Sequence, residues 1–220
     1  MTHDLIQYGP FLIAGYLAMS LGLISPGPNI LAIIGTSMTA SRKAGVMLAC
    51  GVSTGSIIWA TLAIGGVTAI MAAYAPLALG LKIAGGLYFI WLASKYLKAS
   101  RVDTASASNM SIKAASSVQY FLRGLAIQMT NPKAILSWVA MISIVSQPEA
   151  PAWISALYIA GCSVLAFVGH IAWAVIFSTG AVLRFYDRFK RRFNAVLGAA
   201  FGAIGAGLIV SAFKSGTKTT

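Results

Sequence analysis

The sequence predicts an all-α integral membrane protein: six transmembrane helices arranged as two inverted three-helix repeats, with spans 1 and 4 broken at proline-containing motifs. Three observations carry that expectation. First, 58% of the 220 residues are hydrophobic and only 9% are charged, where a soluble domain has roughly 25% charged residues. Second, six apolar runs can be drawn, at about 5–39, 45–73, 77–97, 118–146, 152–183 and 194–213. Several exceed the ~20 residues that a helix needs to cross a bilayer, which implies tilt, kinks or interfacial ends. Third, prolines interrupt the first run at Pro26-Gly27-Pro28 and the fourth at Asn131-Pro132-Lys133.

The first run organises the rest. Unbroken, it would form a helix of about 50 Å at ~1.5 Å per residue, against a hydrocarbon core of ~30 Å. Pro26 and Pro28 lack amide donors, so the carbonyls of Gly22 and Ile24 lose their helical partners. Ser25 and Gly27 precede prolines and are pushed out of helical dihedrals. The helix must break, and in hydrocarbon a break is tolerated only where it is buried in protein or lines a cavity. Gly27 has no Cβ, so a ligand can approach its backbone closely. Pro28 and Asn29 suit the first turn of a second half-helix.

The connections set the orientation. Arg42 and Lys43 lie in the first; Lys95, Lys98, Arg101, Lys113 and Arg123 in or beside the third; Arg184, Arg188, Lys190, Arg191 and Arg192 in the fifth. The second and fourth have none, and the C-terminal tail has Lys214 and Lys218. The positive-inside rule therefore places the odd connections in the cytoplasm and both termini outside. A net charge of +12 in a soluble chain would suggest nucleic acid. Here the basic residues cluster between apolar runs, so the lipid bilayer is the expected partner and nucleic acid is not. The N-terminus lacks a basic n-region and its apolar run is too long, so no cleavable signal peptide is expected.

The expected organisation is one membrane domain over residues 1–220: repeat 1 at about 5–98, a cytoplasmic loop at about 99–117 and repeat 2 at about 118–213. Three spans per repeat invert the second repeat relative to the first. Gly85-Gly86-Leu87-Tyr88 in span 3 echoes Gly198-Ala199-Ala200-Phe201 in span 6. Interrupted spans in corresponding halves point to a transporter's binding site. Gly51 with Gly55, and Gly198 with Gly202, are small-xxx-small pairs that read as close packing within one subunit, with a homodimer interface as the secondary reading. Cys50 and Cys162 read as small packing residues, with no spacing that supports a disulfide or metal pair.

Few residues within the spans carry chemistry. Asn29 and Asn131 sit beside the breaks, where each could cap a half-helix or hydrogen-bond a substrate; capping is the firm expectation for Asn131. Lys133 lies deep in span 4, where an unpaired ammonium is costly and therefore a functional candidate. A bound anionic group could neutralise it; the alternative is a lysine reaching an aqueous vestibule. Lys82 lies near the outer end of span 3 and reads as an interfacial anchor. His170 is the histidine within a span, a candidate proton relay or a structurally hydrogen-bonded ring. The five tryptophans read as packing or interfacial residues. No catalytic triad, metal cluster or phosphate loop is present in the sequence, so neither enzyme chemistry nor a cofactor is expected. A membrane-embedded enzyme would need a nucleophile with a base, and a passive channel a lining of charges or carbonyls.

Gly22-Leu23-Ile24-Ser25-Pro26-Gly27-Pro28-Asn29, followed by Arg42-Lys43-Ala44-Gly45 and Gly51-Val52-Ser53-Thr54-Gly55, resembles the lysine exporter and homoserine/threonine exporter (LysE/RhtB) family. Lys82-Ile83-Ala84-Gly85-Gly86-Leu87-Tyr88 and Asn131-Pro132-Lys133-Ala134 are similar to that family's later motifs. The four motifs fall in order along nearly the whole chain. The resemblance implies a six-span, proton-driven exporter of amino acids or related metabolites in a bacterial inner membrane, with a homo-oligomer as a further implication. Branches of the family that export basic amino acids carry acids within spans. This chain has Ser56 and Ser137 in those regions, which favours neutral amino acids such as homoserine or threonine. Another small solute or ion is the alternative cargo.

With an amino acid as cargo, the breaks acquire a purpose. Half-helices of about 12–15 residues, or roughly 18–22 Å, would place both breaks near the midplane. The N-termini of the second halves would then face a common region from opposite sides, each with free amides and a partial charge of about +0.5. The expected substrate site is Ser25, Pro26, Gly27, Pro28, Asn29, Asn131, Pro132 and Lys133. It would hold an α-carboxylate while the side chain varies, with His170 as the coupling candidate.

Overall fold

Helix termini in this chain sit where the local chemistry of capping puts them. The computed structural model describes residues 2–25, 27–73, 76–101, 115–147, 149–178 and 180–216. Pro26, Tyr74-Ala75, most of the expected cytoplasmic loop and Lys218 lie outside the described residues. The described residues form eight α-helices: α1 (Thr2–Ile24), α2 (Pro28–Thr39), α3 (Arg42–Ala73), α4 (Pro76–Arg101), α5 (Ser117–Thr130), α6 (Pro132–Val145), α7 (Ala152–Ile176) and α8 (Gly180–Gly216). Prolines open α2, α4 and α6, where their missing amide costs nothing. α5 begins with a capping box: Ser116 Oγ accepts from Gln119 N at 3.3 Å, and Gln119 Oε1 accepts from Ser116 N at 2.8 Å.

Both expected interruptions are present. α1 stops at Ile24 and α2 starts at Pro28; α5 and α6 are separated by Asn131 alone. Two expectations need correction. α1 has 23 residues while α2, α5 and α6 have 12, 14 and 14. At ~1.5 Å per residue α1 alone is about 35 Å long, so the first pair is not broken at its middle. The polar start of the chain, Thr2 to Asp4, continues the helix, with Asp4 favourably placed in the first turn. The basic run from Arg184 to Arg192, expected as a connection, is helical and belongs to α8. It contains neither Gly nor Pro; charge marks where a helix leaves the membrane, not where it ends.

Four helical stretches among the described residues are long and apolar enough to cross a bilayer: Thr2–Ile24, Arg42–Gly66, Ala152–Ile176 and Arg188–Lys214; Pro132–Val145 is apolar but shorter. Their outward faces stay apolar, with Val164 and Val168 of α7 and Val196 and Val210 of α8 all more than half exposed. In water such faces would be a liability; against lipid they are the expected surface.

Glycine brings the helices together. α4 and α8 pack antiparallel: a Cβ on Gly86 would lie 2.9 Å from Gly205 O, and one on Gly198 would lie 2.7 Å from Leu97 Cγ. Between them Phe89 stacks on Phe201 at 5.7 Å, and Arg191 Nε donates to Ser100 O at 3.1 Å. α3 and α5 approach closer still. A Cβ on Gly51 would fall on Phe121 O, and one on Gly124 would fall on Leu48 O. The small-xxx-small pairs thus serve packing within the chain. α1 and α7 interlock through tyrosines: Tyr16 Oη donates to Leu157 O at 2.8 Å, and Tyr158 Oη to Gly15 O at 3.3 Å. The main core joins α1, α3, α4, α6, α7 and α8 around residues such as Tyr158, Ile142 and Phe89. A second core of α2, α3, α5 and α7 centres on Ile33 and Val52. These contacts bring the two breaks side by side.

Candidate functional site

Lys133 ties the breaks together. As the second residue of α6 it stands one position past Pro132, and its backbone N donates to Asn131 Oδ1 at 3.0 Å. Asn131 is therefore the N-cap of α6, as its place before proline requires. The ammonium crosses to the other break. It donates to Ser25 Oγ at 2.7 Å, to Ser25 O at 3.2 Å and to Tyr96 Oη at 2.9 Å. Ser25 Oγ and Tyr96 Oη also hydrogen-bond each other. Ser25 is fully buried. None of these acceptors is an acid, so the ammonium is solvated by neutral oxygens and keeps its positive charge available to an anion.

Gly27 is the N-cap of α2, with an extended backbone at φ −121° and no side-chain cap. A Cβ on it would lie 3.1 Å from Asn29 Oδ1 and 3.3 Å from Lys133 Nζ. Close approach is thus the reason for glycine here, and the approaching groups are those two side chains. Asn29 does not cap α2. Its Nδ2 donates to Gln128 Oε1 at 3.1 Å, and Gln128 Nε2 donates on to Ser56 Oγ at 2.8 Å. The equal presentation of amides expected at both breaks is corrected: α6 has its first amide filled by Asn131, whereas no side chain caps α2.

Two spaces adjoin this cluster. A cavity of about 50 Å³, room for a few waters, is lined by Asn29, Ser56, Gln128, Asn131, Lys133 and His170, with Met19, Leu23, Trp138 and Met141 as its apolar wall. A groove of about 470 Å³ is lined by Gly27, Pro28, Trp91, Tyr96, Pro132 and Lys133 among others. Asn131 and Lys133 line both spaces and so form part of the wall between them.

The structure thus gathers Ser25, Gly27, Pro28, Asn29, Asn131, Pro132 and Lys133 into one region, with Pro26 outside the described residues. His170 joins the cavity from α7, 2% exposed, with Nδ1 3.1 Å from Ser53 Oγ. Sequence reasoning missed Tyr96, Gln128 and Ser53. Gln128 left a usable signal, a lone amide within an apolar stretch and three residues before Asn131. Tyr96 left none, because an aromatic beside Lys95 and Lys98 reads as interfacial. Two tryptophans do more than pack. Trp173 Nε1 donates to Leu23 O at 2.8 Å, serving a carbonyl at the end of α1, and Trp59 Nε1 donates to Gln128 O at 3.3 Å.

The model of the LysE type translocator family matches residues 20–212. The threonine efflux protein of Salmonella typhi is 30% identical over 199 residues, 87% of this chain and 93% of its own. An uncharacterized membrane protein of Escherichia coli, YahN, is 28% identical over 201 residues, 90% of each chain. The leucine efflux protein of Klebsiella pneumoniae is 30% identical over 138 residues, 61% of this chain and 64% of its own. No solved structure matches. The family match covers both helix breaks, His170 and the α3–α5 and α4–α8 pairs, and this multi-pass membrane protein belongs to the LysE type translocators.

Proposed function

We propose that this chain exports neutral amino acids across the bacterial inner membrane, driven by the proton gradient. One observation carries the reading: two helix breaks from distant parts of the chain meet at a single ammonium whose partners among the described residues are neutral. A substrate carboxylate binds Lys133 and the uncapped N-terminus of α2, where amides and dipole favour an anion. Asn29 and Gln128 face the rest of the substrate. Relatives named for threonine and leucine efflux support a neutral cargo. So does the presence of Ser56 and Ser137, not acids, beside the site.

The chain crosses six times, α1–α2 and α5–α6 each counting as one broken span, with both termini periplasmic. In this orientation the basic end of α4 places the 470 Å³ groove on the cytoplasmic side. The Lys133–Ser25–Tyr96 knot then closes the route between groove and cavity until a carboxylate competes for the ammonium. His170 and Lys133 are the titratable residues lining the cavity, and His170 is the coupling candidate.

Inverted vesicles energised by a proton gradient and offered a panel of amino acids test the reading. Gradient-dependent accumulation of neutral amino acids, and none of their carboxamides, is expected. Equal handling of acid and amide would overturn the carboxylate site. A panel on which nothing accumulates would overturn the exporter reading itself. Single cysteines at Ser106 and Thr219, in a chain lacking Cys50 and Cys162, report orientation: an impermeant thiol reagent on intact cells should label Thr219 and spare Ser106.

A further inference from the structure

The hydrogen-bond directions around His170 determine what its free edge offers. Ser53 Oγ lies 3.0 Å from Ala166 O. A carbonyl only accepts, so the single hydroxyl hydrogen of Ser53 is spent on it. At 3.1 Å from His170 Nδ1, the same oxygen has only lone pairs left to present. Nδ1 must therefore carry the ring hydrogen, and in the neutral ring Nε2 is then a bare acceptor. The Nδ1 edge is turned to α3. Nε2 has no hydrogen-bond partner among the described residues, and the ring, 2% exposed, lines the cavity shared by Asn29, Gln128 and Lys133.

The ring is reached from a cavity with room for a few waters, and a molecule that displaces water from Nε2 without supplying a donor in return binds less well. Its neighbours on the cavity wall are engaged elsewhere: Asn29 Nδ2 donates to Gln128 Oε1, and Gln128 Nε2 donates to Ser56 Oγ. We propose that His170 is a substrate-recognition residue, its Nε2 accepting a hydrogen bond from an O–H or N–H donor of the transported molecule. Ser53 is the positioning residue that holds the tautomer. The inference rests on reading the cavity as the substrate site, and it deepens that reading by assigning a second polar contact to the substrate.

The test uses the full chain in detergent with ¹⁵N-labelled histidine. The chain has two histidines, so His3→Ala leaves His170 as the sole signal. Two-bond ¹H–¹⁵N correlations should show a neutral ring protonated at Nδ1, and Ser53→Ala should weaken that preference, with the Ala166 carbonyl remaining as a second acceptor at the ring. A ring protonated at Nε2, or at both nitrogens, overturns the proposal. Amino acids are then added, and those that bind should shift the Nε2 resonance; an unmoved resonance with a transported amino acid also overturns it.

Transport, read as exchange between equal pools so that any part His170 plays in proton coupling does not enter, identifies the donor. His170→Phe, which removes the acceptor, should raise KM about tenfold, the scale of a lost hydrogen bond with an unpaired donor. His170→Gln, which retains an acceptor at the Nε2 position, should recover most of that loss. A loss for threonine but not for its near-isostere valine assigns the donor to a side-chain hydroxyl. An equal loss for both assigns it to the α-ammonium. No loss for either overturns the proposal. These outcomes are separable from failure of the exporter reading, which shows as no transport by the unmutated chain. The tautomer does not depend on transport, so it reads out in either case.

Discussion

The break between α1 and α2 and the break between α5 and α6 look alike in sequence, each a proline motif in an apolar run, yet they are held by different means. The second is self-sufficient: Asn131 alone separates the helices, its side chain accepts from Lys133 N, and its own amide bonds Gln128 O at 3.3 Å. The first has no side-chain cap and depends on distant partners. Lys133 takes the Ser25 carbonyl and hydroxyl, and Trp173 takes the Leu23 carbonyl. A locally capped break is a rigid platform. One whose polar groups are satisfied across the molecule can change partners, because the contact that holds it can be exchanged for a substrate's.

The strongest way to break this comparison is Lys133→Ala. It leaves the cap of α6 intact, since the backbone amide remains, but strips the first break of its ammonium. Gradient-driven export should fall at least tenfold, in line with charge-assisted hydrogen bonds of about 1.5–3 kcal/mol. Near-normal export would mean that the two breaks are not functionally joined. Asn131→Ala attacks the other side. Losing the cap should cost about 1 kcal/mol of stability, a drop of about 2–4 °C in thermal midpoint for a chain of this length. Asn131→Asp should restore it. If alanine were neutral, the second break would not be locally held.

Smaller changes sharpen the contrast. Ser25→Ala removes the closest acceptor of Lys133 while its carbonyl remains. Export should fall a few-fold, the scale of about 1 kcal/mol for one hydrogen bond, with the thermal midpoint little changed. A large loss of stability without loss of export would make the knot merely structural. Gly27→Ala is the mildest. The backbone is in a region any residue adopts, and the nearest atoms are the ends of Asn29 and Lys133 side chains. A change in KM of a few-fold at most is expected, the scale of about 1 kcal/mol at the low end for adding a methyl to a packed site whose neighbours are flexible side chains. A misfolded protein would show that the break is tighter than these contacts imply.

The glycines show how legibility divides. Gly51 and Gly55 announced close packing by their spacing, but not that the partner was α5, with the Phe121 carbonyl seated where a side chain would be. Gly85 and Gly86, read in the sequence as an echo of Gly198-Ala199, pack against α6 and α8. Spacing on one helix reports a small face; which helix fills it depends on residues far along the chain. The length of α1 and the helical basic run of α8 depart from the sequence expectation for a related reason: polarity marks the membrane boundary, and a helix continues past it as long as no residue stops it.

By itself the sequence determined the class of this protein, the positions of both helix breaks, the cap at Asn131 and the charge at Lys133. Each follows from covalent or local facts: a proline without an amide, an asparagine one residue before it, a run too apolar for water. Only the tertiary structure decided that the ammonium of Lys133 lies on Ser25 and Tyr96, that Asn29 turns to Gln128 instead of capping α2, and that His170 lines the cavity with Nδ1 against Ser53. Those are choices among partners. A side chain's hydrogen-bonding capacity is set by its type, but its partner is set by which helices the glycine contacts bring within about 3 Å, and that distance is settled only when the whole chain has packed.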